Sequence, residues 1–500
     1  MTGISFIAAM PAAKSRFGVS LPLCVALVVF ATLLATGPTL LGDPDTYWHI
    51  VAGRWIIAHH AVPHADIFSN SMAGAPWVPH EWLAEIVFAP FYDYFGWNGP
   101  VLITAFSFAG AMALLTRALL RFLEPVRALA GMATAWGVAL PHLLARPHVM
   151  TLPIMVIWFA ALAVARSENR APSPWLAALM VLWANLHGGF ILGVVFAALF
   201  AAEAVLGAKS PRQRLEIIRQ WAPFLALTAL AAFLTPNGIA GVLFPWRLMQ
   251  MKYALSSIGE WRSPDFQLVQ PLEIWLMLAL FAALSLGAKL PWTRVAMLLL
   301  LLHMSLSHQR HAEVLGLVAP LLVAEPLAKQ LRRARQAAAS GLDDILAALS
   351  GRASVAGLAV SLFLFAAASV AYVAHPITRL HDGFTPDAAL KAAEDAHVTG
   401  PVMNDYGFGG YLIFEGIPPF IDGRADMYGD DFLKRFDEAM RGITGDLPVL
   451  LDQYKIGWTM FAAKSPAATL MDYQPGWRRL YADDTAVVHV RDTKDAKKKS

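Results

Sequence analysis

The stretch GDPDTYWHIVAGRWI, residues 42–56, follows the first long hydrophobic run and sets how the rest of the chain is read. It places Asp43, Asp45 and His49 where an apolar segment meets water. Ionisable side chains are costly inside a bilayer and are retained there, or at its edge, for pairing or chemistry. Two acids one residue apart, with a His four further on, can hold a cation or take up a proton.

Composition gives that reading its setting. The chain has 500 residues, of which 57% are hydrophobic and only 15% charged, with a mean hydropathy of +0.51. Soluble domains carry about 25% charged residues, so this is the composition of a polytopic membrane protein. A net charge of +3 is too small to imply nucleic acid binding, and no basic patch interleaved with aromatics suggests it. Cys24 is the single cysteine, which excludes an intramolecular disulfide or a cysteine-based zinc site. The first run, 17–41, is longer than a signal-peptide core and reads as a retained membrane helix.

Runs of spanning character follow at 98–116, 128–145, 148–165, 174–186, 188–207, 221–235, 271–287, 291–307, 311–328 and 354–374, which makes about eleven spans in all. With the amino terminus in the cytoplasm, the inner segments hold eighteen Lys and Arg, among them Lys14, Arg117, Arg219, Arg332, Arg333 and Arg335. The outer loops before residue 375 hold six: Arg54, Arg146, Arg247, Lys252, Arg262 and Arg310. That asymmetry is the positive-inside pattern, and it supports the orientation and the span count together. An odd number of spans puts the tail outside. The expected organisation is a transmembrane domain over 1–375, which includes a first outer loop at 43–97. A small soluble α/β domain over 376–500 follows, with GYLIF (410–414) and AVVHV (486–490) as strands, DAALKAAEDA (387–396) as helix and a frayed charged end.

The loop at 43–97 is longer than a connector requires. It carries Asp43, Asp45, Asp66, Glu81, Glu85 and Asp93 against the single base Arg54, together with five His. YWHIVAGRWIIAHH reads as an amphipathic helix lying at the interface, with Trp48, Val51, Trp55 and Ile56 on its apolar side. HEWLAEIVF starts a second helix and puts Glu81 and Glu85 one turn apart on one face. The structural alternative is that Asp43 caps the following helix, with Pro44 at its start. A cap does not call for a second acid, a nearby His and the His80–Glu81 pair. A zinc site of His and carboxylate lacks the HExxH spacing.

Elsewhere, SLSHQRHAEV (305–314) gathers His308, Arg310 and His311 between two spans, and ARPH (145–148) puts Arg146 and His148 at an outer turn. An interfacial Arg reaching headgroups is the commoner use of such a residue, but several converging cations suit a lipid phosphate. Asn185 and His187 precede Gly188–Gly189 at membrane depth, where polar groups line a cavity or bond across helices. The Trp-bearing segment 235–266 reads as a lid, a lipid-tail groove or a passive interfacial helix. IDGRADMYGDD (421–431) lacks EF-hand spacing and reads as an Asp–Arg–Asp network holding a turn.

Taken together, the aspartate pair after the first span, the long outer loop, the span count and the outer tail resemble the GT-C superfamily of polyprenyl-phosphate-dependent glycosyltransferases. The stretches GDPDTYWHIVAGRWI, PWVPHEWLAE (76–85), ARPH, WANLHGGF (183–190) and NDYGFGGYLIFEGIPPFIDGRADMY (404–428) are similar to those of a group of bacterial GT-C-like membrane proteins. A WWDYG-type motif and the Asp–Glu pair of O-mannosyltransferases are missing, so sequon glycosylation is not implied.

The resemblance implies a multi-pass protein of the bacterial cytoplasmic membrane. Its partners would be membrane lipids, a polyprenyl-phosphate-linked sugar and an envelope glycan, lipid or protein acceptor. It implies inverting transfer of that sugar at the outer face, with Asp43 as base and Asp45 on a divalent cation or a sugar hydroxyl. His49, Arg54, His80, Glu81, Arg146, His148, Asn185, His187, His308, Arg310 and His311 are the expected substrate and donor contacts. A polysaccharide polymerase or ligase, and a transporter or assembly protein, are the competing readings. No inverted repeat with matched broken helices supports transport.

Overall fold

The computed structural model describes residues 14–285, 287–331, 341–379 and 383–492. The basic residues Arg332, Arg333 and Arg335 of the inner tally, and the charged end after 492, lie outside them. The chain forms two compact units, Met1–Leu40 with Asn98–Val242 and Gly259–Pro376, and Leu41–Trp97 with Leu243–Ile258 and Ile377–Ser500.

The first unit is helical. Every expected span falls on one of its helices: Leu21–Ala35, Asn98–Leu119, Pro125–Ala139, Leu152–Ser167, Ala177–Leu186, Phe190–Leu206, Pro211–Ala232, Pro271–Ser285, Trp292–Ser307, Ala312–Leu331 and Val355–Val373. By length and composition, four of the described helical segments suffice to cross a membrane: Asn98–Leu119, Pro147–Ser167, Gln309–Leu331 and Val355–Val373. Helix Val355–Val373 shows what solvent the unit is built for. Its apolar residues point outward, with Val355 87%, Phe363 69% and Val370 71% exposed, a surface that water penalises and lipid does not. The chain is a multi-pass membrane protein.

The second unit assembles the loop at 43–97 with the C-terminal segment, rather than leaving that loop with the spans. The reason is its apolar residues. Trp48, Ala52 and Trp77 share a core with Phe420, Ile421, Phe436 and Phe461, and Tyr47 joins a second with Phe408, Tyr411, Leu412 and Val488. Helix Asp45–His59, expected to lie at the interface, therefore spends most of its apolar side on protein.

The unit's sheet has four strands, β1 (Val402–Asn404), β2 (Trp458–Ala462), β3 (Trp477–Ala482) and β4 (Ala486–Arg491), in the order β1-β2-β4-β3. β1 and β2 are parallel, and β4 runs antiparallel to both β2 and β3. AVVHV is a strand as expected, and DAALKAAEDA forms helix Asp387–Asp395. GYLIF is not a strand: it lies in helix Gly409–Phe414. A short fully buried apolar run fits either state by periodicity. Here Gly409 and Gly410 open the helix with bare backbones, packed where a Cβ would come within 2.1 Å of the Ile421 carbonyl oxygen and 2.4 Å of that of Pro44.

Candidate functional site

Within the second unit, the DPD turn is built from its own backbone outward. Asp43 is buried, and its Oδ1 accepts the Asp45 N–H at 2.7 Å, so it closes the N-terminus of helix Asp45–His59. The Asp43 carbonyl accepts from Arg379 Nη2 at 2.9 Å. That guanidinium lies 4.4 Å from the Tyr47 ring centre and 5.1 Å from that of Trp97. Asp45 is partly exposed and rests against Gly423, where an added Cβ would stand 1.7 Å from its Oδ1. The DGRAD glycine is thus a space requirement of the aspartate pair.

One helical turn beyond Asp45, His49 is fully buried between two carboxylates. Its Nδ1 lies 3.1 Å from Glu85 Oε1 and its Nε2 3.7 Å from Glu81 Oε2. His80 Nε2 lies 3.8 Å from the same Glu81 oxygen, and its ring stacks on Phe244 at 3.8 Å. Helix Trp82–Phe95 carries Glu85 and meets helix Asp45–His59 at Gly53, where a Cβ would come within 2.0 Å of the Glu85 carbonyl oxygen. Burial pushes the Glu85 carboxyl well above the usual carboxylate range; Glu81 adds to the rise and Arg424 opposes it. Burial also raises the Asp426 carboxyl, against the pull of His80 and Arg424. Arg54 pairs instead with Asp93 at 2.5 Å, exposed and apart from this set.

Beside this cluster, Arg424 is buried between Asp422 (Nη2–Oδ2 2.7 Å) and Asp66 (Nη1–Oδ1 2.7 Å), with the Tyr428 hydroxyl donating to Asp422 Oδ2 at 2.8 Å. Burial alone would lower the Arg424 guanidinium, and its two aspartates raise it above the ordinary value. DGRAD holds a turn, as its residue types suggest. Its second acid, Asp66, lies too far away in sequence to be found by spacing.

The first unit gathers the cations. Helix Trp292–Ser307 stops at His308, a 3-10 turn carries Arg310 and His311, and a second short turn, Gly259–Trp261, carries Glu260. Glu260 bridges Arg146 Nη1 and Arg310 Nη1, each at 2.8 Å. Arg310 also lies 4.3 Å from the Trp261 ring centre. His308 Nδ1 meets the Trp261 carbonyl at 2.5 Å, and the His308 and His311 rings are 5.6 Å apart. His148 lies 3.6 Å from buried Glu313 and 6.2 Å, ring to ring, from His187. Burial opposes ionisation of Glu260, but Arg146 and Arg310 outweigh it and hold its carboxyl down at about 2.

Six expected donor contacts, Arg146, His148, His187, His308, Arg310 and His311, are therefore brought together. Asn185 Nδ2 donates to the Val181 carbonyl of its own helix at 2.8 Å and to the Leu234 carbonyl, just past helix Pro211–Ala232, at 2.9 Å. Glu260 and Glu313 were missed as site residues, although both lie in stretches singled out by sequence. Among the described residues no three His, Cys, Asp or Glu side chains are grouped to hold a metal ion.

No family model matches the chain, and no curated protein does. Among solved structures it is similar to ArnT from Cupriavidus metallidurans bound to undecaprenyl phosphate, at 13% identity, with 95% of this chain and 98% of that chain covered and a TM-score of 0.49. It is also similar to the Archaeoglobus fulgidus oligosaccharyltransferase tethered to an acceptor peptide, at 11% identity, 88% and 68% coverage and a TM-score of 0.47. A third likeness, to the arabinosyltransferase EmbB from Mycobacterium smegmatis, has 15% identity, 79% and 42% coverage and a TM-score of 0.39. All three are GT-C superfamily glycosyltransferases. With TM-scores under 0.5 they stand as likenesses and supply no residue correspondence.

Proposed function

We propose that the chain is a membrane glycosyltransferase that moves a sugar from a polyprenyl-phosphate donor to an acceptor at the outer face of the cytoplasmic membrane. The observation that carries this reading is the Arg146–Glu260–Arg310 bridge with His148, His308 and His311 around it. Glu260 sets two guanidiniums side by side in a half-buried place. A guanidinium matches phosphate through paired hydrogen bonds. Glu260 fixes both groups before any ligand arrives, so little ordering is left to do on binding.

In the reaction, the acceptor oxygen attacks the anomeric carbon from the face opposite the phosphate. The carbon–oxygen bond to phosphate breaks, its electron pair leaves with the phosphate onto Arg146 and Arg310, and configuration inverts. The acceptor's proton goes to a carboxylate acting as general base. A lipid-borne donor suits the outer face, where cytoplasmic nucleotide sugars do not reach.

Binding of polyprenyl phosphate to the purified protein in detergent tests this. R146Q and R310Q should each weaken it by about tenfold or more, the weight of one charge-assisted bond. Unchanged affinity in both, with melting temperatures like wild type, overturns the assignment.

A further inference from the structure

The buried set formed by Glu85, His49, Glu81 and His80 has more order than a packing role requires. It runs from a carboxyl with 1% exposure, through an imidazole that is equally buried, to a carboxylate and a second imidazole that are 11% and 20% exposed. The contacts along it are 3.1, 3.7 and 3.8 Å. Among the described residues Glu85 Oε2 is buried without a hydrogen-bond partner, and its other oxygen faces His49. A buried carboxyl holding one ring nitrogen, with the other nitrogen turned to a more exposed group, is how a protein fixes an imidazole tautomer.

We propose that Glu81, rather than the aspartate pair, takes the proton of the acceptor hydroxyl. His49 and Glu85 are its positioning residues. This rests on the glycosyltransferase reading and names the base within it. The Glu85 carboxyl donates to His49 Nδ1, which leaves the proton of the neutral ring on Nε2, facing Glu81. That N–H steadies the Glu81 carboxylate, and His80 approaches the same oxygen. When the acceptor attacks, its O–H bond breaks and the proton passes to a Glu81 oxygen. The electron pair left on the acceptor oxygen forms the new bond to the sugar, and the phosphate departs with the pair of the old one. Glu81 then returns the proton to water from its exposed side. The charged groups facing Glu85 are Glu81 and Arg424, and those facing the neighbouring Asp426 are His80, Arg424 and Glu81. Burial favours the neutral Glu85 carboxyl that this arrangement needs.

The test is the pH profile of sugar transfer by the full-length protein, together with infrared spectra of the same samples. E81Q should lose transfer by about 100-fold or more, the weight of a general base. E85A should lose about tenfold, the weight of one buried hydrogen bond, and E85Q should recover most of that loss because an amide N–H can replace the carboxyl O–H. Wild type should show an alkaline limb, where Glu85 ionises, that E85Q lacks. Its infrared spectrum at neutral pH should contain a carboxylic-acid carbonyl band missing from E85Q. Transfer retained by E81Q, or E85A and E85Q equally impaired with the same profile, overturns the proposal. If wild type transfers no lipid-linked sugar, the function reading fails instead. The infrared band then still decides the state of Glu85, and its absence overturns the positioning role independently.

Discussion

Asp43 and Asp45 show how one residue pair divides between architecture and chemistry. Asp43 uses its side chain on the Asp45 N–H and its carbonyl on Arg379. Asn caps a helix as well as Asp does, whereas Ala costs about 1 kcal/mol. D43N should therefore melt with wild type and keep transfer within about threefold, and D43A should melt lower by the weight of that cap. A loss of about 100-fold in D43N without a change in melting would make Asp43 the base, since that is a general base's contribution. At this scale the sequence was partly legible. Residues close in sequence were within reach: Asp43 and Asp45 stand one residue apart, and helical spacing puts Glu81 and Glu85 one turn apart. Gly423 against Asp45, and Asp66 against Arg424, come from segments hundreds of residues apart, and no spacing rule reaches them.

Among the elements, the long helices were the easiest to read, because an apolar run of membrane length permits little else. The short turns were the hardest, and they carry the proposed phosphate contacts. Arg310 and Glu260 both sit on 3-10 turns of three residues, Gln309–His311 and Gly259–Trp261. GYLIF failed for the same reason of length: five apolar residues do not distinguish strand from buried helix. The turn pair makes its own pH prediction. Glu260 has its carboxyl held at about 2 against an ordinary 4.5. A depressed carboxyl contributes stability above its unfolded value and loses it as pH falls towards the folded one. Proteolytic protection of the 259–262 turn should therefore decline between about pH 5 and pH 2 in wild type. E260Q should be less protected at neutral pH and flatter across that window. A wild-type decline that E260Q shares in full would show that the bridge does not hold the turns.

For the molecule as a whole, composition alone separated it from soluble domains, and the outward apolar surface of helix Val355–Val373 agrees. The grouping of the loop at 43–97 with the C-terminal segment was not legible. Amphipathic helices with Trp read alike whether their apolar side meets lipid headgroups or a protein core, and only the partners, here Phe420, Tyr411 and Val488, decide. The chemistry is tested most directly in vesicles that contain the purified protein, a panel of polyprenyl-phosphate-linked sugars and an extract of bacterial envelope glycans and lipids as acceptors. Mass spectrometry should find free polyprenyl phosphate accumulating as a sugar-bearing acceptor appears, with R310Q releasing markedly less. Lipid-linked sugars left intact across the panel by protein that melts normally would contradict the glycosyltransferase assignment.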